Sequence, residues 1–252
     1  MTYAAVADLA MVLPLPVAPN PPEDAVRFIN LERYPTFFDE MRSGFPVNEV
    51  HSRSRSVALY SFSAPELRVH DVGKFEASFV PRIDDFDRLN ERFHIPRDVW
   101  DTLPLYRDYG FAVFKLKGRR LRRIPGFLRR LFGGGSSNGQ AEPYQVHPMA
   151  FEFPMRNPDL LYFPTVHVHD RKIHPHAMFD HMLYCQAGPE MDMYLQGWEK
   201  SFGPASQFMN VASTEGIIDP NHCCRRRPLE GRLENRDTLV GIGGYEPEFL
   251  AV

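Results

Sequence analysis

Five of the ten histidines fall in one stretch, FPTVHVHDRKIHPHAMFDHMLYCQ, residues 163–186, with two aspartates and one cysteine. Imidazole is a side chain that both ligates transition metals and titrates near neutral pH. On an extended strand, residues two apart share a face. His167 and His169 therefore project together with Phe163 and Thr165, while Val166 and Val168 turn toward a core. Such an H-x-H pair offers two ligands to one divalent ion such as zinc or iron, and a catalytic site needs about three. His181, twelve residues after His169, is the candidate third, brought back by a turn at 170–172. Asp170 and Asp180 are candidate partners for the second ring N–H of these ligands. A bound ion would activate water for hydrolysis or organise an oxygen-dependent step. Without a metal, the same groups would serve as acid and base. His174 and His176 flank Pro175 in a polar turn and read as surface residues. The plain alternative for the whole set is a group of solvated polar side chains.

Two other stretches could carry chemistry. Asn221-His222-Cys223-Cys224 precedes Arg225, Arg226 and Arg227, whose charge would favour a thiolate nucleophile. The simpler reading is a reduced cysteine pair in a loop after Pro220. Cys185, beside Met182, Leu183 and Tyr184, reads as a small buried hydrophobe. The second stretch, 115–130, holds eight Lys or Arg and no acid, in a chain whose net charge is −3. Leu121, Ile124, Leu128 and Leu131 recur at steps of three and four, which predicts an amphipathic helix interrupted by Pro125-Gly126. Arg119, Arg120, Arg122, Arg123, Arg129 and Arg130 would grip an acidic protein, an anionic membrane surface or nucleic acid. Its plain alternative is a solvated basic turn that extends a hairpin. Only Phe127 and Phe132 interleave with the arginines, which weighs against base stacking on a single strand. No G-x-x-x-x-G-K-[ST], no strand-linked G-x-G-x-x-G and no G-x-S-x-G is present. P-loop NTPases, Rossmann oxidoreductases and common serine hydrolases are disfavoured.

The elements that must position these residues are short. The chain has 252 residues, 43% hydrophobic and 24% charged, with 23 Pro and 17 Gly that favour many turns. The pattern predicts one α+β domain over 1–252, dominated by a mostly antiparallel sheet with a few short flanking helices and a basic, Gly/Ser-ended insertion at 118–140. Residues 11–17 read as extended. Asn20 would cap a short helix opened by Pro21 and Pro22. A better helix begins at Thr36, whose hydroxyl would accept a backbone N–H near Asp39, and Gly44 stops it. Strands are expected at 57–63, 67–72 and 74–80, the last half-buried with Phe75, Ala77 and Phe79 inward. Helical spacing follows at 84–93 and after Pro96. Further strands are expected at 110–116, 144–153 and 160–170, and 177–186 fits strand or helix. Beyond Glu190 the pattern weakens, with a helical hint at 194–198 and a turn-rich tail from Asn235. Three cysteines, two of them adjacent, make no disulfide framework. No signal peptide and no run of 18 apolar residues is apparent, so the sequence predicts a cytoplasmic protein without a transmembrane segment.

Overall fold

The computed structural model describes residues 10–46, 66–90, 93, 106–117, 147–167 and 174–242. The fold is sheet-rich, with antiparallel pairing throughout the described strands and few helices. The largest sheet has the order β1 (Ala10–Leu15), β5 (Gly110–Leu116), β4 (Phe75–Val80) and β3 (Val69–Val72). β5 is central because its GFAVFKL run is apolar on both faces, as a strand covered from two sides requires. One face packs Phe75, Ala77, Phe79, Ala112 and Phe114 with Leu15 and Val17. The other packs Val80, Phe111 and Val113 with Ile83, Phe86, Phe93 and Tyr106.

The half-buried reading of β4 is thereby corrected. Ser78, expected outward, is fully buried and donates its hydroxyl to the Arg68 carbonyl at 2.9 Å. The cause is the chain that follows: residues Ile83–Arg88 form a 3-10 helix, not an α-helix, and lay Ile83 and Phe86 on that face. The helix expected after Asn20 is also absent. Asn20 sits at φ 54 in a bend, Pro21 and Pro22 belong to no regular element, and a turn follows at Glu23 and Asp24, closed by the Ala25 N–H on the Pro22 carbonyl. The helix expected from Thr36 is present as α1 (Phe37–Ser43), ended at Gly44. Its cap differs from expectation. The Thr36 hydroxyl donates to Glu40 at 2.8 Å, and the Thr36 carbonyl takes the Asp39 and Glu40 N–H groups.

A second sheet has the order β8 (His176–Gln186), β10 (Cys223–Glu234), β9 (Glu199–Pro204). β8 and β10 pair along eleven residues, from Cys224 opposite Gln186 to Glu234 opposite His176. β10 is absent from the sequence expectations. Its run CCRRRPLEGRLE carries Pro228 and Gly231, both strand-averse. Pro228 is tolerated because β9 pairs only with Cys223–Arg226, so beyond that point β10 is bonded on one side among the described residues. Two ribbons complete the described fold: β2 (Arg27–Asn30) with β6 (Met149–Glu152), and β7 (Leu160–Phe163) with β11 (Thr238–Gly241). The strand expected over 160–170 stops at Phe163, and 194–198 forms turns rather than helix. A small core of Leu183, Leu195 and Trp198 joins β8 to the β7–β11 ribbon through Leu161, Phe163 and Val240. The strand expected at 57–63, the helix after Pro96 and the insertion at 118–140 lie outside the described residues. Among the described residues, no helix is long and apolar enough to cross a membrane.

Candidate functional site

Pro164 ends β7 because it has no N–H to give the ladder. The next three residues are held by side chains of the turn that precedes β11. Asn235 accepts the His167 N–H at 2.7 Å and donates its amide to the His167 carbonyl at 2.7 Å. One carboxylate oxygen of Asp237 accepts the N–H groups of Thr165 at 2.8 Å and Val166 at 3.0 Å. The Thr165 hydroxyl meets Thr238 at 2.9 Å and donates to the Arg236 carbonyl at 3.0 Å. An asparagine and an aspartate thus replace the partner strand that 164–167 lacks among the described residues.

Asp237 is itself enclosed. Its other oxygen lies 2.8 Å from both the Tyr106 and Tyr162 hydroxyls. The Tyr162 oxygen also lies 2.7 Å from the Pro14 carbonyl, which can only accept. One hydroxyl proton cannot serve both acceptors at full strength. Burial raises the Asp237 pKa against the pull of its four donors. Burial also drives the Tyr106 and Tyr162 pKa values up, so both phenols stay protonated.

This clamp aims the His167 ring at β8. On β8, His181 shares a face with Phe179, Leu183 and Cys185, while Asp180 lies on the opposite, exposed face. His167 stacks on Phe179, with centroids 4.6 Å apart and planes 23° apart, and meets His181 edge-on. The two Nε2 atoms are 2.7 Å apart. At that distance one nitrogen donates and the other accepts. His181 titrates below the usual histidine range because burial disfavours its cation, an effect that the Asp180 charge opposes. The lowered native value means that the unfolded chain protonates first as pH falls. His181 therefore contributes stability above the unfolded value near 6.5, and this is lost as pH drops through the lower native value. Urea melts at pH 7.5 and 5.5 should show a smaller pH-dependent loss in His181→Gln than in the parent protein.

Of the residues singled out in the sequence, His167 and His181 come together, and His169 and Asp170 lie outside the described residues. Among the described residues, no three His, Cys, Asp or Glu side chains converge as a metal site. His174 and His176 are exposed. The cysteines are free thiols. Cys185 faces the small core, and burial pushes its thiol up to about 12 despite Arg225 opposite it. Cys224 is fully buried and raised to about 11. Neither is poised as a thiolate. Arg119, Arg120, Arg122, Arg123, Arg129 and Arg130 lie outside the described residues. The nearby Lys117 binds Asp71 and the Gly73 carbonyl. The buried His147 accepts the Lys74 N–H at Nε2 and gives Nδ1–H to the Pro148 carbonyl. No family model matches the chain, and neither the curated proteins nor the solved structures provide a match.

The sequence reading missed Asn235, Asp237, Tyr106 and Tyr162. Asn235 and Asp237 do sit in an N-x-D pair after a turn signal, which marks side chains able to bind backbone. Nothing local in the sequence points from them to Thr165 or His167.

Proposed function

We propose that the protein binds a divalent transition metal, zinc or iron(II), through His167 and His181, with His169 as the third ligand. The supporting observation is the approach of the two Nε2 atoms to 2.7 Å from separately braced elements. Two imidazoles on one tetrahedral ion stand about 3.3 Å apart, so loading asks the rings to part by roughly half an ångström. The shared proton would leave as the ion enters, which makes affinity fall in acid. Asn235 and Asp237 act as positioning residues by fixing the backbone that carries His167. An ion with an open position lowers the pKa of bound water to about 7, so the reaction class that fits is metal-assisted hydrolysis. The same reading takes 1–252 as one α+β domain. Three free thiols suit a reducing cytoplasm.

Metal-stripped protein should take up about one equivalent of zinc, and His167→Ala or His181→Ala should weaken binding by roughly a hundredfold or more. Far-UV circular dichroism reports whether each variant is folded. Folded variants that retain the parent affinity would end this reading.

A further inference from the structure

β8 and β10 form a ribbon with one side in solvent. Residues directly opposite in an antiparallel pair share a face. Met178 faces Arg232, Asp180 faces Glu230 and Met182 faces Pro228, and all six are exposed. Met178 keeps 69% of its surface and Met182 keeps 41%. Further along, the same side is covered: Tyr184 packs on Phe38 and Phe45 beside α1. Two carboxylates therefore sit opposite one another, bracketed by methionines. Like charges in that position destabilise a sheet, and a cationic cover would relieve them. Methionine-rich surfaces rimmed by acid accommodate irregular apolar side chains. The third acid on this side, Glu234, is held by Arg236 at 3.2 Å, and Arg232 offsets only part of the negative charge.

The complementary chemistry is written elsewhere in the sequence. Residues 118–131, GRRLRRIPGFLRRL, set five apolar side chains (Leu121, Ile124, Phe127, Leu128 and Leu131) among six arginines and no acid. We propose that the Met178–Met182 side of the β8–β10 ribbon is the docking surface for this chain's own basic segment, 118–131. Arginines meet Asp180 and Glu230, and the apolar side chains cover the two methionines. Fully extended, the fourteen residues of this segment span on the order of 45 Å. The contact lies on the opposite side of β8 from His181 and does not depend on metal binding.

The test is methionine oxidation by dilute peroxide, read by mass spectrometry on the full chain. Met193, 65% exposed and outside the ribbon, is the internal reference. At low salt, Met178 and Met182 should oxidise several-fold more slowly relative to Met193 than they do at 0.5 M salt, because screening weakens the contact. Reversing Arg119, Arg120, Arg122 and Arg123 to Glu should remove the protection. So should Asp180→Lys with Glu230→Lys. Combining both sets should restore it. Met178 and Met182 oxidising as fast as Met193 under every condition would overturn the proposal. Protection that ignores salt and all variants would assign the face to another occupant. Protection that grows with protein concentration would assign it to a second copy. Either result also overturns the proposal.

Discussion

Replacing Asp237 with alanine should destabilise the fold by about 3–5 kcal/mol, the usual consequence of removing one partner from a buried charged or polar network. The Thr165 and Val166 N–H groups and the Tyr106 hydroxyl would lose their acceptor, and Tyr162 would lose a neighbour. These contacts bring together residues from three separate stretches, so the loss is not local. Asp237→Asn provides the contrast. Asparagine keeps an oxygen for the two backbone N–H groups and places an amide donor beside the Tyr162 oxygen. It should cost less than half as much. The pH dependence has a definite sign. Because burial raises the native pKa, the stabilisation from Asp237 is fullest below the unfolded value near 3.9 and declines as pH rises through the native value. Denaturant midpoints of the two variants and the parent, compared across pH, measure all three expectations. A loss below about 1 kcal/mol in Asp237→Ala would mean that the turn does not brace 165–167.

Arg226→Ala should cost about 2–3 kcal/mol. This guanidinium is almost fully buried at the junction of β9 and β10. It donates to Glu199 at 2.6 Å and to the Pro46 carbonyl at 2.8 Å, and lies 4.8 Å above the Phe45 ring. It thus ties the second sheet to the chain leaving α1. Glu199 keeps water contact, so the damage falls mainly on Pro46 and the apolar packing. Lysine lacks the planar fork that reaches Glu199 from Nε and Pro46 from Nη2, so Arg226→Lys should recover only part of the loss. A loss in Arg226→Ala of only a few tenths of a kcal/mol, the size of a surface ion pair, would contradict this assignment.

The legible parts of the fold are those with strong local patterns. The 110–116 run appears as β5 in full, the Thr36 helix is α1, and the strand alternative for 177–186 holds. β10 was hidden because only Cys224 and Arg226 of its twelve residues are buried, so no apolar period marks it, and its long partner strand is distant in sequence. The 3-10 helix at Ile83–Arg88 shows the opposite failure. Its spacing suits a helix, but the chain turns extended at Leu89. At the candidate site, the approach of His181 to His167 was legible and their braces were not. Hydrogen bonds from Asn235 and Asp237 span roughly seventy residues, and no short-range signal encodes such a contact.

X-ray absorption at the zinc edge of the loaded protein tests the central claim most directly. If His167 and His181 share one ion, the spectrum will show at least two imidazoles with nitrogen at about 2.0 Å, and His181→Ala will lose one of them. An oxygen-only shell, or a spectrum unchanged by His181→Ala, would contradict it.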